Sequence, residues 1–349
     1  MPQLPKLSYV LLSHNRERYI RAAVESALAQ DYEGELEYIF SDDCSTDRTF
    51  DIIKECVAAY KGNRRVVVTQ PPSNLKTAGN FNHAVSLAQG DWIIRADDDD
   101  ISAIDRCAVI GRVVSTVPGC TYVATESSKY FRDEEEGAAV EASRIPCAPR
   151  MSPREIDIRT MSPAQCAFHP FEYSYKAWSL ACFRTFGNIP AAAHLADDYI
   201  LYFRASLLGK GVLVDNANSV LVRNNSLHQS IGSDNKNEGY RDIMRRERLF
   251  DEYQNSTAAP MRQTYEALLE FARRMPQDEQ PAVLAFLSDM QEKIRTTETL
   301  RSYWRKGTIN RVRIARRLGM TRSYDMLRCL PMPVFAALLA LFRKIHKKH

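Results

Sequence analysis

The chain has 349 residues, 45% of them hydrophobic and 26% charged, an ordinary globular composition sized for one large domain with an extension, or for two domains. No run of about eighteen apolar residues occurs, which argues against a spanning helix, and the first apolar run is too short for a secretory leader. Eight cysteines without a C-x-x-C pair argue against a zinc module or a dense disulfide scaffold and point to reduced thiols in a cytosolic protein.

L-S-Y-V-L-L reads as a buried strand, and R-E-R-Y-I-R-A-A-V-E-S-A-L-A-Q as the amphipathic helix after it. E-L-E-Y-I-F is a second strand ending in S-D-D-C-S-T-D, and T-F-D-I-I-K-E-C-V-A-A-Y a helix with Asp47 or Thr49 as its cap. R-R-V-V-V-T-Q, N-F-N-H-A-V-S-L-A-Q and G-D-W-I-I-R-A continue the alternation as strand, helix and strand. Such spacing predicts a mostly parallel α/β sheet flanked by helices, with ligands outside the carboxyl ends of its strands. The polar loops S-H-N, S-D-D-C-S and A-D-D-D-D all fall at that edge.

Past residue 120 the pattern loosens. R-D-E-E-E-G-A-A-V-E-A-S-R-I-P-C-A-P-R reads as a surface loop, and A-W-S-L-A-C-F-R as strand. A helix entered through Asp197 and Asp198 should end near Gly209 or Gly211, and V-L-V-D-N-A-N-S-V-L-V-R reads as a hairpin-like pair. From about Gly239 the pattern is helical and rich in arginine.

The run Asp97 to Asp100 concentrates carboxylates where an apolar strand ends. Hard divalent cations take oxygen ligands, so a metal that bridges substrate phosphates would offset the repulsion. Strand alternation would place Asp97 and Asp99 on one side and turn Asp98 away, leaving Asp100 to start the next helix.

Four stretches, in this order and spacing, resemble family 2 glycosyltransferases. They are V-L-L-S-H-N-R-E-R-Y-I, S-D-D-C-S-T-D-R-T, N-L-K-T-A-G-N-F-N-H-A running into A-Q-G-D-W-I-I-R-A-D-D-D-D, and C-F-R with A-D-D-Y-I-L-Y-F-R. The likeness spans roughly residues 6 to 232 and implies the nucleotide-sugar-binding GT-A fold, Rossmann-like, with a helical C-terminal extension. It implies a glycosyltransferase domain over 1–232, with a nucleotide-sugar half to about 105 and an acceptor half after it, then a basic helical extension over 233–349.

The resemblance also implies roles. Asp42, Ser13 and Asn15 would bind the base and ribose of the donor. Asp97, with Asp98 in the same motif, would approach the ribose or diphosphate. Asp99 and the late His228 would hold Mn2+ or Mg2+ on the diphosphate, and Arg223 is a candidate for phosphate charge. Asp198 would be the base of an inverting displacement, with Asp197 as the fallback. Departures from the pattern are Leu12 for a common proline, Cys44 and Lys76 for common glycines, and Asp197 for a glutamate. Without a glycine, the turn at Cys44 is not expected to use positive φ.

The net charge of +4 hides an asymmetry. From Arg301 onward there are thirteen Lys and Arg against one acid, Asp325; the rest carries 34 against 42. The segment 331–349 joins a short apolar run to basic residues, which suits a helix on an anionic membrane surface or one packed on protein. Nucleic-acid binding lacks a docking module. The expected function is transfer of a sugar, by default from a UDP-sugar, to a glycan or lipid-linked acceptor in cell-surface polysaccharide synthesis. The expected place is the cytoplasm or the inner face of the membrane. A nucleotidyltransferase would need a glycine-rich first loop, which S-H-N-R-E-R lacks; a catalytically silent nucleotide-sugar-binding or membrane-scaffold protein of the same fold is the other alternative.

Overall fold

The computed structural model describes residues 3–125, 130–146, 152–160, 175–193, 197–215, 219–223, 240–300, 306–317 and 330–346. By Cα proximity the chain divides into two compact units, one of Met1–Ser226 with Glu266–Leu287 and one of Leu227–Tyr265 with Ser288–His349.

The first unit opens with β1 (Leu7–Ser13), α1 (Ile20–Leu28), β2 (Leu36–Asp42), α2 (Thr49–Ala59), β3 (Val66–Thr69), α3 (Lys76–Ser86) and β4 (Trp92–Asp97). It continues with β5 (Ile101–Ser102), α4 (Arg106–Thr116), β6 (Cys120–Thr125), β7 (Tyr130–Phe131), α5 (Glu136–Ser143) and β8 (Ser152–Ile156). Then come β9 (Tyr175–Ser179), α6 (Ala181–Phe186), α7 (Asp197–Leu208), β10 (Lys210–Asp215) and β11 (Val220–Arg223). The main sheet has the order β3-β2-β1-β4-β9-β6-β10-β8. Strands β3, β2, β1 and β4 run parallel, as do β6 and β10, while β9 lies antiparallel between β4 and β6.

Every residue of β1 and β2 is buried, because helices cover both faces. Alternation sorts the side chains. Tyr9, Leu11, Tyr38, Phe40, Trp92, Ile94 and Ala96 join Ala23, Val24, Ile53 and Ile110 of the helices in the main core. Across the sheet, Trp178 meets Phe81 of α3 at 6.0 Å, and Tyr122 meets Tyr202 of α7 at 5.7 Å. Arg95 points to this second face, its guanidinium 5.4 Å from the Phe81 ring centre.

Three sequence expectations change here. The two halves of V-L-V-D-N-A-N-S-V-L-V-R do not form a hairpin: β10 joins β6 and β8, while β11 joins β5 and β7 in a separate small sheet. Both runs are apolar at successive positions, which suits interior strands rather than an alternating hairpin. The supposed loop after Arg132 is a short 3-10 turn, Asp133–Glu135, and then α5, whose acidic start favours the helix N-terminus. A-C-F-R lies in α6 rather than in a strand.

In the second unit, α8 (Tyr240–Ser256) packs against a terminal helix, Met332–His346, through Ile243, Phe335, Ala336 and Leu339. In the chain between these two lie α9 (Ala258–Ala272), α10 (Gln280–Leu300) and α11 (Thr308–Arg317), of which the part Glu266–Leu287 falls in the first unit; the last helix is α12. No helix among the described residues is long and apolar enough to cross a membrane.

Candidate active site

The loops after β1 and β2 meet at the carboxyl edge of the sheet. The Asp42 carboxylate is fully buried and receives four donors. Ser13 Oγ and Ser45 Oγ donate to Oδ1 at 3.2 and 2.5 Å; the Ser45 N–H and Gln70 Nε2 donate to Oδ2 at 2.9 and 2.8 Å. With four donors already in place, a further N–H would reach Asp42 only in exchange for one of these, and Gln70 is the donor on an exposed, rotatable side chain. Asn15 ties the same loops: its N–H donates to Ser45 Oγ at 2.8 Å, and its Oδ1 accepts the Thr46 N–H at 2.8 Å. The Asp43 carboxyl accepts the Leu75 N–H at 2.7 Å, and burial pushes its pKa up. Asp47 accepts the Thr49 N–H at 3.0 Å at the start of α2.

Asn15, Cys44 and Lys76 have φ of 54°, 58° and 62°. The turn at Cys44 therefore keeps the left-handed backbone that a glycine would take freely, contrary to the sequence expectation. The hydrogen bonds of Asp42 and Asp43, just before it, fix the loop, and the Cys44 thiol donates to the Pro71 carbonyl at 3.1 Å.

The acid run divides differently from a continued strand. β4 ends at Asp97, so alternation stops there and Asp98 and Asp99 form a turn. The Asp97 side chain is 49% exposed, while Asp99 is buried. Asp98 does not point away. Its carboxylate accepts the His14 N–H at 3.0 Å and faces Arg16 Nε at 3.3 Å, and burial pushes its pKa up to about 8. Asp100 does not start a helix, since α4 begins at Arg106; it accepts the Arg223 N–H at 2.8 Å.

Arg223 is no phosphate ligand here. It is 1% exposed, lies between the Tyr19 and Phe131 rings at 4.5 Å from each, and donates to the Asp99 carbonyl at 2.9 Å, to Asp133 at 3.1 Å and to Glu136. A cation of the Mn2+ or Mg2+ kind binds through one or two carboxylates, waters and substrate phosphates. The oxygen donors at the end of β4, with the open Asp97 carboxylate foremost, fit that chemistry. His228 lies outside the described residues, as does His194. Among the described residues no three His, Cys, Asp or Glu gather into an all-protein metal cage.

On the second face of the sheet, Asp197 and Asp198 begin α7. Arg95 Nη1 reaches Asp197 Oδ2 at 2.5 Å and Asp198 Oδ1 at 3.2 Å, and Lys176 Nζ donates to Asp198 Oδ2 at 3.1 Å. The Asp198 side chain is 37% exposed and that of Asp197 9%. Burial raises the pKa of Asp197 despite Arg95. Burial also pushes Asp198 up, but Lys176 and Arg95 outweigh it, and Asp198 sits below the ordinary aspartate value. Arg95 Nε lies 3.7 Å from Asp97, so one guanidinium touches the end of the acid run and the acid pair.

Sequence reasoning passed over Arg95, Lys176, Gln70 and His14. A lone arginine within the apolar run G-D-W-I-I-R-A was a usable signal for Arg95. Lys176 gave none: it matters because the β4–β9 register, Ile94 beside Ala177, sets the next pair, Arg95 and Lys176, side by side.

Residues 8–150 match the family model described as Glycosyl transferase family 2. The putative glycosyltransferase EpsE of Bacillus subtilis (strain 168) is 40% identical over 98 residues, 28% of this chain and 34% of that protein. The poly(ribitol-phosphate) beta-N-acetylglucosaminyltransferase TarS of Staphylococcus aureus (strain Mu50 / ATCC 700699) is 32% identical over 97 residues, 27% of this chain and 16% of that protein. The chain thus spans about a third of the length of EpsE, and 27% of the mycobacterial relatives that follow it. Among solved structures, the mannosyltransferase PcManGT from Pyrobaculum calidifontis, in complex with GDP-Man and Mn2+, covers 100% of this chain and 90% of its own, with a TM-score of 0.51 at 13% identity. That likeness is one of fold, a mostly parallel sheet with flanking helices of the GT-A type. Over its segment 8–150 the chain is thus similar to glycosyl transferase family 2.

Proposed function

We propose that the protein is an inverting glycosyltransferase that moves a sugar from a nucleoside-diphosphate sugar, by default a UDP-sugar, to a hydroxyl of a glycan or lipid-linked acceptor in cell-surface polysaccharide synthesis. One observation carries the reading: Asp97 at the nucleotide edge and the half-exposed Asp198 meet on the same guanidinium, Arg95. A donor against the β1, β2 and β4 loops would bring its anomeric carbon toward the acceptor side, where Asp198 waits as base. TarS, named for transfer of N-acetylglucosamine to poly(ribitol-phosphate), supports the acceptor class.

In this reading the acceptor hydroxyl oxygen bonds to the anomeric carbon as the bond to the diphosphate oxygen breaks. The electron pair leaves with the nucleoside diphosphate, and the hydroxyl proton passes to Asp198. Attack opposite the leaving group inverts the anomeric centre. Asp197, buried against Arg95, is the poorer base. Bound Mn2+ or Mg2+, held by Asp99 with Asp97 and His228, would neutralise the leaving diphosphate.

We place the protein in the cytoplasm, on the inner face of the membrane. In support, α12 packs by Phe335 and Leu339 but leaves Val334 and Leu338 45% and 42% exposed in a basic stretch of sequence.

The test is release of nucleoside diphosphate from a panel of nucleotide sugars with Mn2+ or Mg2+. At least one donor should turn over, Asp99→Ala should abolish turnover, and Asp198→Asn should slow it about 10²–10⁴-fold. No turnover and no binding of any donor overturns the proposal.

A further inference from the structure

We propose that Arg95 and Lys176 are positioning residues that hold Asp198 in place as the reacting carboxylate and confine Asp197 to the role of a buried counter-ion. The inference rests on the reading of Asp198 as the base of a glycosyl transfer. Two adjacent carboxylates at one helix start repel each other and would otherwise compete for the same proton. The structure breaks that symmetry. Asp197 makes the short contact with Arg95, 2.5 Å, and is nearly closed off. Asp198 is held at both oxygens by cations from two different strands, Arg95 of β4 at 3.2 Å and Lys176 of β9 at 3.1 Å, and still keeps 37% of its side chain open.

Among the described residues, the charged groups facing Asp198 are Lys176 from β9, Arg95 from β4 and Asp197 on its own helix. Lys176 is itself buried in the sheet, 8% exposed, so its charge acts at close range through little solvent. Both cations favour the ionised carboxylate, against the opposing effect of burial. A base held below the ordinary aspartate value remains deprotonated as the pH falls toward that value. Removing Lys176 raises the pKa of Asp198, so the base is lost at a higher pH than in the wild type.

The experiment compares wild type, Lys176→Met, Lys176→Gln, Lys176→Arg and Asp198→Asn in the full chain. It measures donor-nucleotide binding by calorimetry, melting temperature, and the pH profile of kcat/KM for transfer. Lys176→Met and Lys176→Gln should bind the nucleotide within about twofold of wild type (~0.4 kcal/mol) and move the acid limb of the profile upward. Lys176→Arg, which keeps the charge, should return the limb toward the wild-type position. Lys176→Gln carries the comparison if Lys176→Met does not fold. An unmoved limb in a folded, nucleotide-binding Lys176 variant, with Asp198→Asn inactive, overturns the positioning role and leaves the base assignment intact. An active Asp198→Asn overturns the base assignment itself, and the positioning role with it.

Discussion

Cys44 and Lys76 hold backbone angles that cost an L-residue about 1 kcal/mol or more, beside the loops at the carboxyl edge of the sheet. Cys44→Gly should stabilise the protein by about 0.5–1 kcal/mol in urea unfolding, since relief of strain exceeds the entropy cost of glycine. A net loss would mean that the thiol bond to the Pro71 carbonyl is worth more than the strain. Asp98 invites a second comparison. Asp98→Asn keeps an oxygen for the His14 N–H, whereas Asp98→Ala leaves that N–H without it, at a cost of about 1–3 kcal/mol. We expect Asp98→Asn to keep transfer activity within a few-fold and Asp98→Ala to melt earlier, as scanning fluorimetry would register. The sequence drew attention to the acid run; it did not show where the strand stops, and that end point decides which carboxylate faces out.

Among the elements, β11 is the one whose position most affects the site. The Arg223 guanidinium is the meeting point of β11, the Asp99 turn and the acidic start of α5, so three segments distant in sequence depend on one side chain. Arg223→Met would take the buried partner from the partly exposed Asp133 and Glu136 and the donor from the Asp99 carbonyl, and should cost about 1–3 kcal/mol in equilibrium unfolding. Arg223→Lys keeps charge but loses the fork geometry, and should fall between the two. A variant as stable as wild type would show that the network is incidental. Periodicity could not reveal any of this, since V-L-V-R carries no mark of which sheet it joins. The strands and helices up to Asp97 were legible because each short apolar run has its pairing partner next along the chain or close to it. The α5 segment was not, because its acids look like a solvated loop until Arg223 arrives to pair with Glu136.

For the whole molecule, the helical second unit was foreseen as helical and basic, but its membership was not. Glu266–Leu287 belongs with the first unit, where Phe271 packs on Phe186 at 5.1 Å and Phe286 on Phe203 at 4.6 Å. Repeating apolar spacing alone does not say which core a helix feeds. The membrane proposal is checked by flotation with vesicles of mixed neutral and anionic lipid. The full chain should float with anionic vesicles, and the Val334→Ser, Leu338→Ser double variant should not, with little change in melting because Phe335 and Leu339 still pack on Ile243. Flotation of both alike would remove the exposed face of α12 as the contact. The placement of β9 between β4 and β6 bears on how the chain comes to fold. Strands β3, β2, β1 and β4 can pair from chain already made by residue 97, yet β4 keeps an open edge until Tyr175–Ser179 has been added. Such long-range pairing is slow, and an unpaired edge invites wrong partners meanwhile. Lys176 arrives on that same late strand, so a nascent chain acquires the loops after β1, β2 and β4 well before the lysine that bonds to Asp198.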